Sequence, residues 1–144
     1  MEENRSQVRD EAYWGGGVRQ MNAMRPREVA VVDDDTAVLD SFRFVLEMAG
    51  FTVATYSSAQ DYLARDGDTP RCLILDQHMP VMTGLELTAR LRARGNLVPI
   101  LLITSAPSPS IVAQAAEIGI ERVLEKPPNE QELIGFVSAC GGAG

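Results

Sequence analysis

Cys72-Leu73-Ile74-Leu75-Asp76-Gln77-His78-Met79-Pro80-Val81-Met82-Thr83-Gly84 is the stretch on which the fold turns. An unbroken apolar run ends in a single carboxylate, and Pro80 and Gly84 then break any continuation. So short a continuous run reads as a strand buried on both faces, the habit of parallel sheets. The pattern recurs on either side. Val29-Ala30-Val31-Val32 leads into Asp33-Asp34-Asp35, Ile100-Leu101-Leu102-Ile103 into Thr104-Ser105, and Arg122-Val123-Leu124-Glu125 into Lys126-Pro127. Carboxylates, a hydroxyl and an amine therefore close the apolar segments.

Between these runs the spacing becomes helical. Val38, Leu39, Phe42, Val45, Leu46 and Ala49 predict helix 1 over 36–49, stopped by Gly50. Helix 2 is expected after the cap candidates Ser57 and Ser58, and helix 3 from about Gly84 to Gly95. Helix 4 is expected after Ser108-Pro109-Ser110 as far as Gly119, and helix 5 over 129–139 with Leu133, Phe136 and Val137 inward. Strands are expected at 28–33, 51–55, 72–76, 98–104 and 121–125, with a loop over 66–70. Strands alternating with helices imply a parallel sheet covered on both faces, an α/β doubly wound fold. Right-handed crossovers with one reversal after strand 2 give the order 2-1-3-4-5. In such sheets function gathers at the carboxyl ends of the strands beside the reversal. Strands 1 and 3 flank it, and both end in aspartate.

Composition bounds the rest. A chain of 144 residues, 45% hydrophobic, suits one packed domain. A net charge of −7 gives no support to nonspecific nucleic-acid or anionic-membrane binding. No apolar stretch reaches membrane-spanning length, and no apolar signal follows the start, so a cytoplasmic protein is expected. Residues 1–27, with Gly15-Gly16-Gly17, read as a flexible tail, 28–140 as the domain, and 141–144 as a second tail. Tyr13-Trp14 offers a docking alternative for the first tail, and Met21 and Met24 offer alternative starts. Cys72 and Cys140 lie far apart, lack metal-ligand spacing, and read as free thiols in a reducing compartment.

Crowded carboxylates repel, and a hard divalent cation resolves the conflict. Mg²⁺ takes oxygen ligands and keeps several waters. Asp33 or Asp34, Asp76 and a backbone carbonyl such as that of His78 are the candidate ligands. A phosphoryl oxygen would complete the site, and Asp76 would be placed to attack phosphorus. Lys126 would pair with the remaining oxygens and Thr104 would donate a hydrogen bond. Each residue also has a plain structural reading. Asp34 or Asp35 is a helix cap candidate, Lys126 a solvated charge, Thr104 a satisfied hydroxyl, and His78 a loop residue. The specificity lies in their conjunction.

With these residues in order, the chain resembles the receiver domain of two-component response regulators, with the FixJ-type subgroup the nearest in pattern. The resemblance rests on Val-Val-Asp-Asp-Asp (31–35), Leu-Asp-Gln-His-Met-Pro-Val-Met-Thr-Gly (75–84), Ile-Thr-Ser (103–105) and Glu-Lys-Pro (125–127), and covers 28 to about 140. It implies a flavodoxin-like fold and transfer of a phosphoryl group from a histidine of a sensor kinase or phosphotransfer protein to Asp76. It implies Asp33 and Asp34 as the Mg²⁺ pair, Thr104 as the switch hydroxyl and Lys126 as the phosphate-binding amine. His78 and Ala106 match positions that tune dephosphorylation, and Ser105 lies within the switch loop. Two departures stand out. Val123 replaces the usual aromatic residue, which removes a ring-flip readout. Pro128 follows Pro127 where the subgroup often has an aromatic side chain.

The resemblance implies a signalling domain and no conventional enzyme. The expected reading is a stand-alone receiver that signals by binding protein, because the sequence stops just after helix 5. A homodimer through the helix 4, strand 5, helix 5 face is a further expectation. The alternative is the receiver half of a LuxR/FixJ-type DNA-binding regulator. A haloacid-dehalogenase-type phosphatase is remote, because Asp33-Asp34-Asp35-Thr36-Ala37 departs from the nucleophile motif and no second acidic pair follows Lys126. A flavodoxin is remoter still, because an acidic cluster follows strand 1 in place of a Gly-rich phosphate loop.

Overall fold

The structure, a computed structural model, describes residues 28–140. The expectations for 1–27, including Tyr13-Trp14, Met21 and Met24, and for 141–144, lie outside the described residues. The chain runs β1 Glu28–Val32, α1 Thr36–Met48, β2 Thr52–Tyr56, α2 Ala59–Ala64, β3 Cys72–Asp76, α3 Gly84–Ala93, β4 Ile100–Thr104, α4 Pro109–Glu117, β5 Arg122–Glu125 and α5 Glu130–Ala139. The five strands are parallel, in the order β2-β1-β3-β4-β5, as the reversal after strand 2 requires.

Alternation along the strands divides the core into two layers. Ala30, Val32, Leu73, Leu75, Ile100 and Leu102 face one side, against Tyr62 of α2, Leu87 and Leu91 of α3 and Ala115 of α4. Val29, Val31, Cys72, Ile74, Leu101 and Ile103 face the other, against Leu39, Phe42 and Leu46 of α1 and Leu133, Phe136 and Val137 of α5. Every residue of β3 and β4 is buried. At ~25 cal/mol per Å² of apolar surface, this double burial is the main force holding the sheet.

Side-chain caps start each helix where the sequence offers one. Asp35 caps α1, Ser58 caps α2, Ser108 caps α4 with Pro109 first in the helix, and Asn129 caps α5. Thr83 and Glu86 form a reciprocal capping box on α3. Boundaries differ slightly from the sequence reading. β2 begins at Thr52, β4 begins at Ile100, and α1 ends at Met48, with Gly50 at φ 97 making the turn. Pro99 has no N–H to extend β4 and contributes only its carbonyl, which accepts from the Leu73 N–H at 2.9 Å.

Helix α4 lies shallower than the other long helices. Only Ala115 is fully buried, Ile111 and Ile118 are partly buried against the same core layer, and Val112 is 49% exposed. Much of its anchoring is indirect. The Arg92 guanidinium on α3 donates to the carbonyls of Ile118 and Gly119, just past α4, each at 2.9 Å. It also donates to Asn96 at 3.0 Å and Val98 at 2.9 Å. One side chain thus satisfies carbonyls at the ends of two helices. Among the described residues no helix is long and apolar enough to cross a membrane.

Candidate functional site

Parallel register brings the strand ends to one edge. Val32 is level with Leu75, Asp76 with Ile103, and Thr104 with Glu125. Asp33, Asp76, Thr104 and Lys126 therefore emerge together beside the reversal between β1 and β3. Asp33 is 1% exposed, Asp76 5% and Thr104 0%, while Asp34 is exposed.

The carboxylates of Asp33, Asp34 and Asp76 offer oxygens that all lie within 4.8 Å of one another. Lys126 reaches over from the end of β5. Its Nζ is 2.8 Å from Asp33 Oδ2 and 3.5 Å from Asp76 Oδ1. Asp33 Oδ1 also accepts from the Asp35 N–H at 2.9 Å, which fixes the carboxylate plane. Asp35 turns away and accepts from the Ala37 and Val38 N–H groups at 3.0 and 3.4 Å. The acidic triplet is thereby divided: two members face the site and the third caps α1.

Electrostatics express the crowding. Burial raises the Asp76 pKa above its ordinary 3.8, and the Asp33 charge raises it further, while Lys126 opposes both. For Lys126, burial pulls the pKa down, but the hydrogen bond and charge of Asp33, with the charge of Asp76, outweigh it and the pKa is raised. One ammonium does not neutralise three carboxylates. The donor set, all carboxylate oxygen and partly open to solvent, fits a hard divalent cation such as Mg²⁺.

The Thr104 hydroxyl has partners of its own. Thr104 Oγ1 accepts from the Ala106 N–H at 3.1 Å and lies 3.1 Å from His78 Nε2. The Lys126 N–H donates to the Thr104 carbonyl at 2.9 Å, coupling the two strand ends. The Lys126–Pro127 peptide is cis. Ser105 is exposed, and Val123 is half-buried against the core layer of α2, α3 and α4.

One contributor carried no sequence signal. Gln77 is buried, its N–H donates to Ile103 O at 2.9 Å, and its Oε1 accepts from the Leu85 N–H at 2.9 Å. It fastens the start of α3 behind Asp76. Gly84 completes the packing. A Cβ there would lie 2.6 Å from Leu102 Cδ1 and 2.8 Å from the Asp76 carbonyl oxygen. Val81 adopts φ 71, a left-handed conformation costly for a β-branched side chain, and is 85% exposed beside the site.

The response regulator receiver domain family matches residues 29–138. The transcriptional regulatory protein FixJ of Bradyrhizobium diazoefficiens is 34% identical over 113 residues, covering 78% of this chain and 55% of that protein. The response regulator protein TodT of Pseudomonas putida is 33% identical over 128 residues, covering 86% of this chain and 55% of that protein. The solved structure of Vibrio cholerae chemotaxis protein CheY4 superposes with a TM-score of 0.72 at 28% identity, covering 78% of this chain and 97% of that one. The chain thus spans about half the length of the curated relatives it matches.

Proposed function

Because this chain belongs to the response regulator receiver domain family, a family of two-component signalling domains that interact with sensor kinases, we propose that Asp76 is its phosphoacceptor. The observation that carries the proposal is a buried carboxylate at the end of the central strand, with the Lys126 ammonium 3.5 Å from Oδ1 and two further carboxylates alongside. The donor is a phosphohistidine of a sensor kinase or a histidine phosphotransfer protein. An Asp76 oxygen attacks phosphorus in line with the departing imidazole nitrogen. The P–N bond breaks as the P–O bond forms, giving an acyl phosphate.

Asp33 and Asp34, with Asp76 and the His78 backbone carbonyl, are the proposed ligands of Mg²⁺. When bound, the ion offsets the carboxylate charge and polarises the phosphoryl oxygens. Lys126 exchanges part of its contact with Asp33 for a phosphoryl oxygen. The Thr104 hydroxyl leaves His78 and donates to another. That movement draws on Ser105 and Ala106 and carries the segment up to Ser108, so it biases the start of α4. Val123 provides no ring to report the change, which leaves α4 itself as the moving part.

The proposed output is a protein contact, and a phosphorylation-dependent homodimer through α4, β5 and α5 is one form of it. Direct nucleic-acid binding by this chain has no support from its net charge of −7, and the reading places the domain in the cytoplasm with its kinase. A second reading is favoured by the relatives' names and by the half-length match: the receiver part of a DNA-binding transcriptional regulator. Sequencing the transcript past the Gly144 codon separates the two, since an in-frame helix-turn-helix domain would establish the second. The phosphoacceptor is tested by intact-protein mass after incubation with acetyl phosphate. A single Mg²⁺-dependent adduct on the wild type, absent from Asp76→Asn and weakened in Asp33→Ala, is expected. An equal adduct on Asp76→Asn would move the acceptor elsewhere.

A further inference from the structure

At the opposite end of the sheet from Asp76, two thiols that are remote in sequence meet. Cys72 is the first residue of β3 and is fully buried. Cys140, just past α5, is half-buried and packs against the core layer that contains Cys72. The two thiols influence each other strongly, Cys140 pushing the Cys72 pKa up and Cys72 pulling that of Cys140 down, yet no disulfide joins them. The backbone holds Cys140 in place from both sides. Its N–H donates to Phe136 O at 3.2 Å, and its carbonyl accepts from Arg71 Nε at 3.0 Å. A groove of about 540 Å³, lined by Pro99, Glu121, Arg122, Phe136 and Ala139 among others, opens onto Cys140.

We infer that Cys72 and Cys140 form a redox-modifiable dithiol, oxidised to an intramolecular disulfide by small disulfides of the glutathione type. The groove gives such a reagent access to Cys140, whereas Cys72 is shielded. Cys140 is therefore the attacking sulfur. The neighbouring Cys72 thiol lowers the Cys140 thiol's pKa and the Arg71 charge assists, while burial and Glu121 oppose them. The Cys140 thiolate attacks one sulfur of the reagent, forming a mixed disulfide and expelling one glutathione thiolate. Cys72 then loses its proton and attacks Cys140 Sγ. The mixed S–S bond breaks, the protein S–S bond forms, and a second glutathione thiolate leaves. In sum, two protein thiols are oxidised and one glutathione disulfide is reduced to two thiols. The new bond would pin the end of α5 to the foot of β3, the strand whose other end carries Asp76.

The test is independent of phosphoryl chemistry. The full chain is incubated with oxidised glutathione under native conditions, remaining thiols are blocked with iodoacetamide, and intact mass and a tryptic map are recorded. The expected wild-type product has lost two hydrogens, takes up no iodoacetamide, and yields a linked Cys72–Cys140 peptide that dithiothreitol releases. Its thermal midpoint should lie above that of the reduced protein. Cys72→Ser, or Cys72→Ala if serine destabilises the core, should stop at a glutathione adduct on Cys140. Cys140→Ser should leave Cys72 unreacted until denaturant is added. A persistent glutathione adduct on the wild type, two alkylated thiols after oxidation, or a cross-link that forms only in denaturant would each overturn the inference. The wild-type arm decides without the variants.

Discussion

Asp76 is held in a conflict that a single substitution should expose. Its pKa is raised in the fold by burial and by Asp33. The folded state therefore holds that proton more tightly than the unfolded chain. The resulting stability is complete below the ordinary value of 3.8 and is lost as pH rises through the raised folded value. At neutral pH, in metal-free buffer, the ionised side chain is thus a net cost. Asp76→Asn removes the charge and keeps the shape, so its thermal midpoint without metal should exceed that of the wild type. Scanning calorimetry at pH 7 and at pH 4 checks this, and the gap should narrow at the lower pH. Gly84 tests the packing of the same corner. Gly84→Ala drives a methyl group toward Leu102 Cδ1 and the Asp76 carbonyl. Denaturant titration should show a loss of about 1–3 kcal/mol, the usual cost of overpacking.

Two helices behave differently as elements. α5 buries Leu133, Phe136 and Val137, while α4 buries Ala115 alone. Local stability follows buried apolar area, so α4 should open more readily. Hydrogen exchange should show amides of 112–117 exchanging faster than those of 133–139 in the same protein. Equal protection would remove the argument for α4 as the moving part. Arg92 is the counterweight, with its guanidinium donating to the carbonyls of Asn96, Val98, Ile118 and Gly119. Arg92→Ala should cost about 2–3 kcal/mol, because charge-assisted bonds are lost and carbonyls are stranded. Arg92→Lys should recover only part of this, because an ammonium lacks the planar fork that spans four acceptors. Chemical denaturation of both variants measures the difference.

For the whole molecule, ion binding and folding are linked. A cation that binds the folded acidic site and not the unfolded chain stabilises by about 2.7 kcal/mol at a hundredfold excess over its dissociation constant. The wild-type thermal midpoint should rise with millimolar Mg²⁺, and Asp33→Ala should flatten the response. A wild-type midpoint indifferent to Mg²⁺ would argue against the metal site.

Much of this was legible in the sequence because the signals were local. Apolar runs such as Cys72–Leu75 and Ile100–Ile103 are buried on both faces and look like little else. The residue at each strand end is fixed by chain order, so Asp33, Asp76, Thr104 and Lys126 could be read as one group once the sheet was parallel. The start of α2 was legible at Ser58 because capping uses a residue's own neighbours, whereas α4 begins at Pro109, inside the Ser108-Pro109-Ser110 stretch after which it was expected. Tertiary structure decided whatever depends on distance through space. It divided the acidic triplet, sending Asp35 to cap α1 and leaving Asp33 to meet Lys126. It placed His78 against Thr104 and Gln77 behind α3. It also set how deep each helix lies, burying Leu133, Phe136 and Val137 of α5 but only Ala115 of α4, since spacing marks which residues share a face but not how deeply that face is buried. The two cysteines make the same point. The sequence determined that each was a small apolar side chain near an element's end, and only the packing of the end of α5 against the sheet brought the two into one core layer.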